Sequence, residues 1–196
     1  MIISIRGTSG TGKTTLARRV LFDEGVYGPA RQVYKERRRV PLYYVREALA
    51  PGRRGIAILG SYENTTGGCD TISGNDIPFE MMRVIHDSYD CFFEGLLMSA
   101  EQHRTAKLHR DGYPVHLFYL NLSLEECLRS VEIRRAARGV TAPLNPKTTA
   151  SRHSALRHHP PRFLAMGVNV GVGDRLAAER WLRGLGVLPP IEEETK

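Results

Sequence analysis

A three-layer α/β fold built on a mainly parallel sheet follows from three features of the sequence. Short apolar runs rich in β-branched residues alternate with segments whose apolar residues recur at helical spacing. A glycine-rich loop joins the first run to the first helix, and no apolar run approaches the about 20 residues that a membrane helix needs. Alternation of this kind puts helices on both faces of a parallel sheet. With 196 residues the chain can bury a core without cross-links, and one domain over residues 1–188 followed by an acidic tail at 189–196 is expected.

Ile2 to Arg6 reads as a buried strand, and Lys13 to Phe22 as a helix with Leu16, Val20 and Leu21 on one face. Val40 to Val45 and Gly55 to Leu59 are strand-like, and the Pro51-Gly52-Arg53-Arg54 turn between them allows an inserted hairpin. A polar, glycine-rich loop from Ser61 to Asp76 follows. Ile77, Met81, Val84 and Ile85 mark a helix through Tyr89, and Cys91 to Leu97 is a continuous apolar run that reads as a parallel strand. Ser99 to Arg110 is expected to be helical and Val115 to Leu120 a strand. Ser123 with Glu126 three residues on is a capping box that starts a helix through about Arg138. Thr141 to Thr148 reads as a loop, Val168 to Val170 as a short last strand, and Asp174 as the cap of a final helix to about Leu185.

The net charge is +7, and it is unevenly spread. Residues 1–54 hold 12 Lys or Arg against 4 acids, residues 55–132 hold 5 against 12, and residues 133–173 hold 7 against none. Arg31, Lys35, Arg37, Arg38 and Arg39 form one basic block; Arg134, Arg135, Arg138, Lys147, Arg152, Arg157 and Arg162 form the other. Such blocks suit a phosphate-rich partner. The three cysteines, Cys69, Cys91 and Cys127, are too widely spaced for a zinc site or a disulfide framework and are expected to be reduced thiols. The N-terminal residues lack the pattern of a secretory leader, so a cytoplasmic protein is expected. His153, His158 and His159 have no acidic or cysteine company at ligand spacing.

Gly7-Thr8-Ser9-Gly10-Thr11-Gly12-Lys13-Thr14 satisfies G-x-x-x-x-G-K-[ST] between an expected strand and an expected helix, the setting that a phosphate-binding P-loop requires. The backbone N–H groups and the helix N-terminus face the anion, Lys13 reaches the β- and γ-phosphates, and Thr14, with Thr15 in reserve, offers a hydroxyl to Mg²⁺. ATP or GTP with Mg²⁺ is the expected ligand, on a P-loop NTPase fold. The chain has no Asn-Lys-x-Asp guanine signature, no helicase-type motif and no room for a motor's second lobe, which favours a compact kinase.

Cys91-Phe92-Phe93-Glu94-Gly95 has the Walker B pattern of an apolar strand ending in an acid, so Glu94 is a candidate to hold a magnesium-bound water or orient the acceptor. In the stretch Gly60 to Ile72, Asp70 is the first candidate for general base because an acceptor hydroxyl needs a carboxylate within hydrogen-bond reach. Asp23 and Asp76 stand in reserve, and Tyr62, Tyr43 and Tyr44 are candidate stacking partners for a base. The helix after Val115 to Leu120 resembles the arginine-bearing lid of adenylate-kinase-like enzymes. Its Arg134 and Arg138, at i and i+4, are placed to meet the spread charge of a transferring phosphoryl group.

The N-terminal phosphate loop, the G-S-Y-E-N-T-T-G-G-C-D-T-I segment from Gly60, the F-F-E-G-L-L strand and the arginine-bearing helix together resemble the small P-loop kinases of bacteriophages that hypermodify thymine, specifically the 5-hydroxymethyluracil DNA kinases. The resemblance spans residues 1 to about 140. It implies transfer of the ATP γ-phosphate to the 5-hydroxymethyl group of that base within DNA, with Lys13 and Thr14 in the ATP and Mg²⁺ roles and Asp70 near the acceptor. Two other readings stay open on the residues alone. A nucleoside or nucleoside monophosphate kinase would act on free nucleotides, and a P-loop ATPase or nucleotide-binding module would transfer to no acceptor.

Overall fold

A computed structural model describes residues 1–35, 39–64 and 67–191. Arg37 and Arg38 of the first basic block, part of the glycine-rich loop after Ser61, and most of the acidic tail lie outside the described residues. One seven-stranded sheet runs in the order β2-β3-β4-β5-β1-β6-β7. Its centre is β1 (Ile2–Arg6), every residue of which is buried, between β5 (Asp90–Glu94) and β6 (Val115–Leu120). β4 (Ile56–Leu59) and β7 (Asn169–Gly173) extend the parallel part outward, while β3 (Tyr43–Arg46) and β2 (Arg31–Val33) add an antiparallel edge.

The period-two geometry of β1 divides the core. Ile3 and Ile5 pack with Leu16, Val20 and Leu21 of α1 (Lys13–Phe22) and with Ala178 and Leu182 of α8 (Arg175–Gly184). Ile2 faces the other way, toward Phe79, Met82 and Ile85 of α2 (Ile77–Ile85), Leu108 of α4 (Gln102–Arg110) and Phe163 of α7 (His159–Ala165). The result is three layers. Among the described residues no helix is long and apolar enough to cross a membrane. The three cysteines are free and buried.

Several boundaries differ from the sequence expectation. The apolar run from Cys91 is not one strand: β5 stops at Glu94, and Leu96–Ala100 is a short helix, α3, that precedes α4. The capping box forms as expected, with the Ser123 hydroxyl accepting from the Glu126 N–H and the Glu126 carboxylate accepting in return, but α5 (Leu124–Ala136) ends before Arg138. The expected loop at Thr141 to Thr148 contains the start of α6 (Pro146–Leu156), where Pro146 takes the first helical position and Asn145 caps the Lys147 N–H. Proline at that position favours a helix start. β2 is a short, largely exposed edge strand without apolar alternation, so it carries no strand signal in the sequence.

Two buried arginines stiffen the frame. Arg46 donates to the carbonyls of Val20, Tyr27 and Gly28 at 2.6–2.7 Å, closing the C-terminal end of α1. Arg6, at the end of β1, lies under α4 with its guanidinium on Thr105 and 5.5 Å from the centre of the Phe163 ring.

Candidate active site

The phosphate loop leaves the carboxyl end of β1 and turns into α1. Gly10 holds φ +87°, and a Cβ there would overlap the carbonyl of Cys127, so only glycine lets the loop pass beneath α5. Lys13 is buried and its Nζ donates to the carbonyls of Gly7 and Thr8 at 2.8 and 3.0 Å. Burial pulls its ammonium below the ordinary lysine value, opposed by Glu94 and Asp70. The loop thus folds its own cation back on itself in a conformation from which it can turn to an anion.

β1 and β5 are parallel neighbours, with Ile5 opposite Glu94, which carries Glu94 to the phosphate loop. The Thr14 hydroxyl donates to Glu94 Oε1 at 3.0 Å. Glu94 is 2% exposed, and burial pushes its carboxyl up to about 7, opposed by Lys13 and the Thr14 bond. A hydroxyl beside a carboxylate is an oxygen pair of the kind Mg²⁺ takes, so these residues fit the ion.

The loop after β4 closes on itself: Gly68 N–H donates to Ser61 O, and the Thr71 hydroxyl donates to Gly68 O. Its short 3₁₀ turn, Cys69–Thr71, presents Asp70, whose Oδ2 accepts the Leu96 N–H at 2.7 Å and whose Oδ1 accepts the Leu97 N–H at 3.1 Å. Asp70 therefore caps α3 from a different loop. At the other end of α3, the Gly7 N–H donates to Ser99 Oγ, which donates to Gly95 O. One short helix so ties the loop after β4 to the phosphate loop. Gly68, at φ +75°, has room for no side chain, since a Cβ would stand 2.6 Å from Glu94 Oε1.

A cleft of about 290 Å³ gathers Ser9, Gly10, Gly12, Lys13, Thr14, Thr15, Asp70, Glu94 and Arg134. Thr11 lines a second cleft of about 450 Å³ with Leu122, Ser130, Arg175 and Leu176, continuous with the first through Gly10, Gly12, Thr15 and Ser130. Gly7 and Thr8 line a third recess behind the loop. Burial, and then Arg138, lowers the Arg134 guanidinium. α5 ends at Ala136, so Arg138 sits on the following turn; its charge reaches Arg134, and it does not line the cleft.

Other expectations are corrected. Tyr62 and Tyr44 are each 4% exposed, packed together in the core with ring centres 6.1 Å apart, and offer no surface to a base. Asp76 is held by Arg104 at 2.6 Å and Asp23 by the Gly25 N–H, both outside the cleft. Arg18 is an unforeseen member. Its guanidinium donates to the carbonyls of Tyr62 and Asn64 and lines the cleft, holding the loop after β4 against α1. Its place on α1 carries no signal in the sequence that separates it from Arg19.

A cation-bearing phosphate loop that shares one cleft with two carboxylates and two arginines is suited to moving a phosphoryl group, which makes the chain a P-loop kinase by class. No family model matches the sequence. Over 176 residues it is 37% identical to a 5-hmdU DNA kinase of Pseudomonas phage PaMx11, a span that covers 89% of this chain and 90% of that protein. The chain belongs to the family of 5-hmdU DNA kinases.

Proposed function

We propose that this chain transfers the γ-phosphate of ATP to the 5-hydroxymethyl group of 5-hydroxymethyluracil within DNA. The similarity to a phage 5-hmdU DNA kinase along nearly the whole of both chains carries this reading. An enzyme acting on phage DNA works in the host cytoplasm. The two continuous clefts suit the donor: triphosphate along Ser9 to Thr15 in the first, nucleoside against Leu122, Arg175 and Leu176 in the second. Thr14 and Glu94 would hold Mg²⁺, which when bound offsets charge on the phosphoryl oxygens.

In the transfer, a bond forms between the acceptor oxygen and the γ-phosphorus while the bond to the β,γ-bridging oxygen breaks and ADP leaves. Asp70 receives the hydroxyl's proton. Its two backbone N–H bonds fix where the carboxylate stands, and its remaining lone pairs are available to the cleft. Lys13 and Arg134 meet the charge spread over the transferring group. The position of Arg134 on α5 beside the phosphate loop supports an adenylate-kinase-like lid, to which Arg138 belongs as a flanking cation rather than a contact. The basic blocks supply backbone contacts that a polymer acceptor needs and a free nucleotide does not.

γ-Labelled ATP and Mg²⁺ are offered with DNA containing 5-hydroxymethyluracil, matched thymine DNA, and free nucleosides and nucleotides, with Lys13→Ala as the blank. Label on the modified DNA alone is the expected result. Label on free nucleotides alone would overturn it in favour of a nucleotide kinase, and free phosphate with no labelled acceptor would favour an ATPase.

A further inference from the structure

We propose that the recess behind the phosphate loop is a subsite for one backbone phosphate of the DNA acceptor, an inference that rests on the DNA reading above. The recess holds about 120 Å³ at the carboxyl ends of β1, β6 and β7, and Gly7, Thr8, Asn121, His153 and Arg157 contribute to its wall. It shares no lining residue with the transfer cleft. No carboxylate lines it.

Three observations favour an anion. Arg157 is exposed and makes no ion pair with any described carboxylate, whereas Arg19, Arg54, Arg83, Arg104, Lys107 and Arg129 all do. It also belongs to the stretch 133–173, which contains seven Lys or Arg and no acid. The Thr8 hydroxyl is buried in this wall without a hydrogen-bond partner among the described residues, an arrangement that is costly unless an acceptor completes it. His153 is steadied by donating from Nε2 to Leu122 O at 2.8 Å. Residues bearing a guanidinium, an amide and a hydroxyl thus line one small recess beside apolar Leu120, Leu156 and Val172, and arginine's planar fork is well shaped for a phosphate.

Size and place bear on the source. The recess, at about 120 Å³, is smaller than the transfer cleft and has room for a phosphate group. The Lys13 ammonium bonds to the carbonyls of Gly7 and Thr8, the same two residues that form the recess wall. The peptide units of Gly7 and Thr8 therefore both border the recess and hold the lysine of the transfer cleft. A strand that delivers its modified base to the cleft can lay a neighbouring phosphodiester in the recess.

The test measures initial rates on 5-hydroxymethyluracil DNA across a salt series for the wild type, Arg157→Ala and Arg157→Lys, with melting curves to confirm the fold. Arg157→Ala is expected to raise KM for DNA about 3- to 10-fold at fixed salt and to make the log KM against log salt line shallower by about 0.9 on duplex or about 0.7 on single strands, the loss of one phosphate contact. KM for ATP and kcat stay at wild-type values, and Arg157→Lys restores the slope. An unchanged slope would overturn the subsite, as would a change in KM for ATP, which would give the recess to the donor. Failure of the wild type to label modified DNA at all would instead overturn the reading on which the subsite rests.

Discussion

Thr14 donates its hydroxyl to Glu94 Oε1 at 3.0 Å, joining the end of the phosphate loop to the end of the neighbouring strand. The bond falls on a carboxyl almost wholly inside the protein, where burial resists its charge.

Glu94→Gln separates stability from activity. The carboxyl is pushed up from 4.5 to about 7 in the folded chain, so folding is penalised as pH rises from the unfolded value through the folded one. At pH 8 without metal, the glutamine variant is expected to melt higher than wild type, by about 3 °C for each 1 kcal/mol gained. Its phosphotransfer falls by about 100-fold or more. A melting point below wild type under those conditions would contradict the argument.

Gly68→Ala tests how closely the acceptor loop meets the carboxylate. The backbone there lies at φ 75° and ψ −159°, a region nearly confined to glycine, and the new methyl would press on Glu94. A loss of about 1–3 kcal/mol in chemical denaturation is expected, together with a kcat more than about 10-fold lower as Glu94 is displaced. Wild-type kcat in a folded variant would show that the position of Glu94 tolerates the shift.

Arg46→Met addresses the frame rather than the site. Removing the guanidinium strands three carbonyls near the end of α1, and about 3 kcal/mol of stability is expected to go with it. Equilibrium unfolding reads the loss. KM values measured well below the new melting temperature should match wild type.

The sequence carries the central strands and the phosphate loop plainly, because a strand buried on both faces must be continuously apolar and a P-loop must keep its glycines, lysine and threonine in fixed order. β1 and β6 match their expected bounds for that reason. What escapes has little periodic signal: β2 is a polar edge strand, and α6 buries only Thr149 and Leu156, so its first turn, with Pro146 and Lys147, reads as loop. Within the site, Lys13, Thr14, Glu94 and Asp70 were legible from motif or setting and meet in one cleft. Arg18 was not, because its contacts are to backbone carbonyls contributed by a loop more than forty residues away.

His159 sets an acid limit. Packed beside Arg6, Arg162 and His158, with the Gln102 amide on its Nε2, it is held down to about 4, chiefly by burial. The unfolded chain takes up this proton near 6.5 and the folded one only near 4, so stability is complete above about 6.5 and declines as pH falls to about 4. Melting temperatures across that window should drop in the wild type and drop less in His159→Gln. Parallel curves would assign the acid sensitivity elsewhere.

Cys69 sits next to Asp70 in the turn that caps α3, and its thiol is 2% exposed and raised well above its usual value by burial, with Glu94 and Asp70 adding to the effect. Burial likewise raises Cys91 to about 12 and Cys127 above its ordinary value. Thiolate is the reactive form, so the closed enzyme is inert to alkylating agents. Alkylation of Cys69 therefore requires its turn to open, and a mass-spectrometric time course reads the interval between openings, with the buried Cys91 thiol as the internal reference.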